Sequence, residues 1–280
     1  MLVPLDGSEL ALTSMPTARV LAERFGAEVH TISVVDAAED GDRLAALGSA
    51  VLGVAVGDAH VRVAHGADVT EGILRSAEEL GRCLVCLSTH GRGRLSGAVV
   101  GSVARELVQR SARPLVALGP VGDVPDWKRT PHWPPPLSVA RIVACVDGSD
   151  TSEDVLPVAS GWARALGMSL TILTVVDDET APLRPERQRS PYGEGTDAES
   201  YVDALAHRWR ATVPEVDGHV VRDPLGPASG VRSYLRQQPA GLVALTSHAR
   251  SGMRRVLFGA TAASIVHRSP APCLVVPLPR

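Results

Sequence analysis

Aromatic side chains are scarce: Phe, Trp and Tyr together make up 3% of the 280 residues. That argues against the stacking platforms that hold single-stranded nucleic acid. An excess of one charge is also missing. The formal net charge is −3 and no basic block runs along the chain, so nucleic acid is not expected as the main partner. No apolar run is long enough for a membrane span, and the N-terminus enters a strand-like run at once, without a secretory leader. A cytoplasmic protein with no membrane partner is the expectation. There are only four cysteines. Cys83 and Cys86 have C-x-x-C spacing, but alternation along a strand sends them to opposite faces. Buried small hydrophobes are expected there instead of a zinc site or redox pair, and no metal ligands are assigned.

Several signatures of nucleotide and catalytic sites are missing too. There is no G-x-x-x-x-G-K-[ST]. Gly91, Gly93 and Gly97 approach G-x-G-x-x-G but miss its last spacing, and they follow the fourth strand instead of the first. The acidic cluster and lysine of a phosphate receiver are not evident. Neither H-E-x-x-H nor G-x-S-x-G occurs. No Ser or Cys nucleophile is tied by sequence to His90, so a loop histidine bonded to backbone is the plainer role for it, with a catalytic one as the alternative.

What the chain does have is 45% apolar and 21% charged residues, the composition of a packed globular protein long enough for two domains. The first half alternates short apolar strands with amphipathic stretches. Leu2–Leu5 reads as a strand broken by Asp6-Gly7-Ser8, and Ser8 or Asp6 can cap the helix that follows. Pro16 marks the true first turn of that helix, and Gly26 ends it. Val29–Val35 is the second strand, Leu44–Val56 a weak helix containing Gly48 and Gly53, and Val61–Val63 the third strand. Val69–Leu80 is a helix, Cys83–Leu87 the fourth strand, and Pro114–Leu118 the fifth. Residues 119 to 138 carry prolines at 120, 125, 131, 134, 135 and 136, too many for regular pairing, so they read as a linker.

The pattern then repeats. Asp6 and Asp147 lie 141 positions apart, as do Asp36 and Asp177; His90 and His248 lie 158 apart, as do Gly101 and Gly259. The 17-residue difference enters between the second and third strands, where the polar, proline-containing stretch Arg184–Gly193 sits. Two offsets, each found twice, point to duplication. The expected domains are 1–119 and 139–280, joined by a linker at 120–138. Each is an α/β unit with a doubly wound, mainly parallel sheet covered on both faces.

Ligands of such sheets sit beyond the carboxyl ends of the strands. Three small-residue sites fall there: Asp6-Gly7-Ser8, Val34-Val35-Asp36, and the stretch Ser88-Thr89-His90-Gly91 that runs on to Gly101-Ser102. The last is strand, small-residue loop and helix start, which offers backbone N–H groups to an anion. Gly91 and Gly101 allow close backbone approach, Ser102 and Val103 open the helix, and Arg92 can neutralise phosphate charge. Asp6 can accept from a ribose or help hold a cation, and Val34 can wall a base. Each has a plainer alternative: Asp6 and Ser102 as helix caps only, Val34 as core, and the loop as a connector.

On these residues the chain resembles a tandem universal stress protein, over both halves and apart from the linker. ATP-binding members of that family carry G-x2-G-x9-G-[ST] after the fourth strand and an Asp after the first. Here Ser88-x2-Gly91-x9-Gly101-Ser102 keeps the spacing with Ser at the first glycine, and Pro4-Leu5-Asp6-Gly7-Ser8 matches the first element. The resemblance implies two tandem five-stranded parallel sheets of order 3-2-1-4-5, Rossmann-like and adenine nucleotide alpha hydrolase-like. It carries nucleotide contacts onto Pro4, Asp6, Val34, Leu87, Ser88, Gly91, Gly101, Ser102 and Val103, with Arg92 beside them. In the second half Thr246-x2-Ala249-x9-Gly259-Ala260 keeps one of three glycines; Thr261 could replace the lost hydroxyl, and Asp147 and Val175 still match. The first site is therefore expected to bind ATP, with Mg²⁺, better than the second.

The implied activity is stress response or regulation through nucleotide-dependent conformation or partner binding, with at most slow hydrolysis and no catalytic residues. Cyclic AMP in place of ATP stays open. The alternative is a dimeric stress or interaction protein whose sites have degenerated. An ATP-using enzyme of a related fold ranks last, lacking an acid/base pair. The fifth strands, Pro114–Leu118 and Pro272–Pro277, suit an intramolecular pseudo-dimer and, between two chains, a homodimer.

Overall fold

A computed structural model describes residues 1–35, 38–66, 68–89, 100–119, 137–176, 197–247 and 258–277, with the side chains of 38–40 left out. The chain divides into two compact units, 1–136 and 137–280.

In the first unit β1 (Leu2–Pro4) leads through α1 (Glu9–Leu12) and α2 (Met15–Phe25) to β2 (His30–Val35). Next come α3 (Ala38–Leu52), β3 (Val61–His65), α4 (Val69–Glu79), β4 (Val85–Ser88), α5 (Ser102–Arg110) and β5 (Leu115–Leu118). The strands are parallel, in the order β3-β2-β1-β4-β5. The second unit runs β6 (Arg141–Cys145), α6 (Asp150–Glu153), α7 (Val155–Leu166), β7 (Ser169–Val176), α8 (Ala198–Trp209) and β8 (Val216–Arg222). It continues with α9 (Pro227–Gln237), β9 (Leu242–Thr246), α10 (Ala260–Arg268) and β10 (Cys273–Val276). Its parallel order, β8-β7-β6-β9-β10, is the same one.

Helices cover both faces of the first sheet. A Cβ on Gly48 of α3 would meet the Thr31 hydroxyl at 2.6 Å, and one on Gly72 of α4 would meet a Val34 methyl at 2.9 Å. Thr31 and Val34 are three positions apart on β2, so they face opposite ways. The core between these layers is aliphatic, with Leu2, Val3, Leu21, Cys86 and Val116 fully buried. All four cysteines are free. Burial pushes the thiols of Cys86 and Cys273 up to about 12, in keeping with small hydrophobes packed in the core, while Cys145 is half-buried. Among the described residues no helix is long and apolar enough to cross a membrane.

Three local expectations need correction. The helix expected at 44–56 spans Ala38–Leu52. The polar stretch before Leu44 is the acidic composition that a helix N-terminus favours, and Gly53, at φ +76°, ends the helix early. Asp6 does not cap α1: Ser8 does, its Oγ accepting from the Ala11 N–H at 3.1 Å. Ser102 is not a cap either. Gly101 holds that position and Ser102 is the first residue of α5.

Candidate functional site

The strand order brings the carboxyl ends of β2, β1 and β4 side by side, and with them Val34, Pro4, Asp6, Leu87 and Ser88. Three hydrogen bonds fix these ends to one another and to α5. The Leu5 N–H donates to the Ile32 carbonyl at 2.8 Å. The Ser33 hydroxyl donates to the Leu5 carbonyl at 2.9 Å, in a buried position. The Gly101 N–H donates to the Thr89 carbonyl at 2.8 Å, which seats the start of α5 at the end of β4. Gly91 and Arg92 lie outside the described residues, as does His90.

Asp6 stands in a turn that only a glycine completes. Its Oδ1 accepts from the Ser8 N–H at 2.9 Å, and between them Gly7 adopts φ +81°, a region L side chains rarely enter. The turn aims the chain into α1 and holds the carboxylate at the sheet end. Pro4 acts on the strands themselves. In the second unit β6 pairs with β9 at Ile142–Leu242, Val143–Val243 and Ala144–Ala244; in the first, β1 pairs with β4 only at Leu2–Val85. Pro4 stands where the second unit has Cys145 and has no N–H to extend the ladder. The pairing of β1 and β4 therefore stops short on the side where the candidate residues lie.

The N-cap of α5 is Gly101 in extended backbone, φ −61° and ψ 156°, a residue with no side chain to cap the helix. Ser102 is exposed and Val103 half-buried. A helix end of this kind keeps its first N–H groups and positive dipole end available to an anion. Gly101 has a reason to be small besides the one expected from sequence: a Cβ there would stand 2.8 Å from the Thr89 carbonyl oxygen. Its small size serves contact within the protein.

The second unit reproduces the frame and changes the lining. The Thr174 hydroxyl donates to the Val146 carbonyl at 2.8 Å, as Ser33 does to Leu5. The Gly259 N–H donates to the Ser247 carbonyl at 3.0 Å, and the N-cap of α10 is likewise a glycine. Asp147 Oδ1 accepts from the Ser149 N–H at 3.1 Å, and Val175 meets Gly230 as Val34 meets Gly72. Ala260 opens α10, with Thr261 half-buried behind it. The tyrosine Tyr201 donates its hydroxyl to Glu153 at 3.0 Å. Burial first, then the charges of Glu153 and Asp147, raise its pKa. This unit thus gathers two carboxylates around one phenol near its Asp147 turn. Position 12 of the first unit, the counterpart of Glu153, is Leu12.

Two positions of this frame escaped the motif: the Ser33/Thr174 clamp and the Gly72/Gly230 contact. Their spacings, 141 and 158, are those of the repeat, and that would have found them.

Two doubly wound parallel sheets in one chain, each with a glycine at the helix start beside the end of its fourth strand, give the tandem Rossmann-like adenine nucleotide alpha hydrolase fold. The chain belongs to the universal stress protein family, whose family model matches residues 1–118 and 139–277. It is similar to Universal stress protein Rv1996 of Mycobacterium tuberculosis, at 30% identity over 202 residues. That match covers 70% of this chain and 59% of the relative, so the chain spans well under two thirds of the relative's length. Among solved structures, a universal stress protein from Archaeoglobus fulgidus DSM 4304 aligns with 98% of this chain and 97% of its own, at 16% identity and TM-score 0.66. A universal stress protein in complex with cAMP aligns with 49% of this chain and 95% of its own, at 20% identity and TM-score 0.37.

Proposed function

We propose that the first unit binds ATP, with Mg²⁺ carried on the triphosphate, and that binding changes the conformation or partners of a stress-response protein with at most slow hydrolysis. One observation carries the reading most. The start of α5, with a glycine at its N-cap, lies at the same sheet end as Asp6 and Val34, where the β1–β4 ladder stops short. Its Ser102 and Val103 N–H groups take phosphate oxygens, Asp6 takes the ribose hydroxyls and Val34 borders the adenine. Gly91 and Arg92 belong to the same proposal through the spacing of the motif. In the second unit the Glu153 carboxylate, which stands where the first unit has Leu12, opposes a triphosphate, and a degenerate site is the better description there. Asp147, Val175, Gly259 and Thr261 then keep the fold of that corner without a strong ligand.

The test is calorimetry with ATP and Mg²⁺ on the full chain, together with mass spectrometry of any nucleotide retained on purification. Ser102→Asp is the informative variant. A carboxylate on the first residue of a helix suits its dipole, so the fold is kept while the triphosphate is repelled. Loss of ATP affinity by at least ~10-fold is expected, a figure that follows from one unfavourable charge worth about 1.4 kcal/mol. Ala260→Asp is expected to change nothing. Equal affinity in wild type and Ser102→Asp, or no binding in wild type, overturns the proposal.

A further inference from the structure

A cluster of metal-ligating side chains lies at the opposite, amino end of the first sheet. His30 opens β2 and His60 immediately precedes β3. The first paired residues of those strands are Thr31 and Val61, so the histidines are cross-strand neighbours. Their rings stack at 4.6 Å between centroids with 28° between planes, close to the natural spacing of adjacent strands. Glu28, two residues before His30, carries its carboxylate to the same place. Its Oε2 lies 3.7 Å from His30 Nε2 and 3.5 Å from His60 Nε2. All three donor atoms fall within 4.8 Å of one another.

We propose that Glu28, His30 and His60 bind one divalent first-row transition-metal ion of the zinc class, with Asp58 as the positioning residue for His60. Two observations converge on this. The first is distance. Ligand atoms ~2.1 Å from a tetrahedral ion lie ~3.4 Å from one another. The 3.5 and 3.7 Å separations are long for hydrogen bonds and close to that figure. Glu28, at 75% side-chain exposure, can adjust to an ion, and the two histidine nitrogens lie within 4.8 Å of each other. The second is the tautomer. His60 Nδ1 lies 2.6 Å from Asp58 Oδ1. In the neutral ring the proton resides there, so the Nε2 lone pair faces the Glu28 oxygen, the carboxylate–histidine–metal arrangement. The His30 side chain is only 13% exposed, so its ring is held in place with Nε2 toward Glu28.

The surroundings suit an ion with one open position. A hollow of about 320 Å³ borders His60, leaving room for water as a fourth ligand. Three cations lie nearby and each has a partner: Arg62 pairs with Glu79 at 2.9 Å, the Met1 ammonium donates to the Glu28 carbonyl at 2.7 Å, and Arg19, which lines the hollow, donates to the Val51 carbonyl. The second unit supplies an internal comparison. By sheet register its residues at these places are Ser169, Thr171 and Asp217, and the Thr171 hydroxyl simply donates to Asp217 at 2.7 Å. One ion per chain follows. His30 and Val34 are four residues apart on β2, ~13 Å, so this site and the nucleotide site stand or fall separately.

Titration of the metal-free, untagged full chain with Zn²⁺ in a calorimeter, and with Co²⁺ followed by visible absorption, tests the assignment. One equivalent of Zn²⁺ and the visible bands of four-coordinate Co²⁺ are expected. Glu28→Gln and His60→Ala are each expected to weaken binding by at least ~10-fold, and Asp58→Asn by ~10-fold, the last with the Co²⁺ bands shifted but present. Glu28→Gln leaves the metal-free melting temperature unchanged, because that side chain is mostly in solvent. The proposal is overturned if wild type shows no saturable Zn²⁺ binding. It is also overturned if all three variants bind as wild type does, which would place the ion on other histidines, or if the cluster holds only a proton shared between Glu28 and His60.

Discussion

A Cβ on Gly101 would meet the Thr89 carbonyl oxygen at 2.8 Å, and backbone does not yield as a flexible side-chain end does. Gly101→Ala should therefore cost about 1–3 kcal/mol, the range for forcing an atom into a filled space. Gly26 makes a useful contrast. It ends α2 at φ +60° with nothing within 4 Å of a would-be Cβ, so Gly26→Ala costs only the backbone term, about 1–2 kcal/mol. Urea denaturation of both variants checks the order, and a Gly101→Ala protein as stable as wild type would remove the packing argument. Spacing alone marked Gly101 as a residue that must stay small. It could not tell what it stays small for, because the partner, a carbonyl twelve residues earlier, appears only when the loop ends are brought together. The Glu28–His30–His60 cluster was hidden for the same reason: thirty residues separate its members, and only the register of β2 against β3 joins them.

Elements were most legible where one signal dominated. Pro16 separates α1 from α2 and sits in the first turn of α2, and the alternating strands and helices imposed a parallel sheet. The helix α3 was least legible. Gly48 lowers its intrinsic propensity, yet the same glycine lets α3 lie against Thr31 of β2, so packing outweighs propensity. Pairing of elements also decides the helix that carries the proposed phosphate site. Arg110 of α5 donates to Asp68 at 2.9 Å and also bonds Glu71, while Thr70 donates to Glu106 at 2.8 Å, so α4 and α5 are braced together. Asp68 is in addition the N-cap of α4, accepting from the Glu71 N–H at 2.9 Å. That backbone bond, and then the Arg110 guanidinium, hold its pKa below the usual 3.8. A carboxylate with a lowered folded pKa stabilises the protein above its unfolded value, and the contribution is lost as pH falls through the folded one. Asp68→Asn keeps an acceptor for the cap and removes the charge. The variant should be less stable than wild type at pH 7, and the gap between their urea midpoints should close on acidification below about 3.8. A gap that is constant with pH would mean that the Asp68 charge contributes nothing.

At the scale of the whole chain, duplication made two frames and left them chemically unequal. Both units keep a hydroxyl clamp on the residue before the Asp, a glycine between helix and second strand, and a glycine at the N-cap of the helix after the fourth strand. What differs is the lining. Pro4 is replaced by Cys145 and the central ladder lengthens from one pair to three. Ser102 is replaced by Ala260, and Leu12 by Glu153 beside Tyr201. The Ala144–Ala244 pair extends the ladder toward the second corner, Glu153 charges it against a polyphosphate, and Ala260 lacks the hydroxyl that Ser102 could offer. One ATP per chain, and not two, is the expected stoichiometry. Hydrogen exchange locates it: ATP should slow exchange at residues 2–8, 30–35, 85–89 and 100–105, and leave their counterparts at 143–149, 171–176, 243–247 and 258–263 unaltered. A ligand that orders a loop and a helix start slows their local opening in proportion to its occupancy, so protection should rise with ATP concentration and saturate at one equivalent. Equal protection of both sets would show that the closed ladder and the extra carboxylate do not govern affinity. Protection confined to the second set would reverse the assignment of the binding unit.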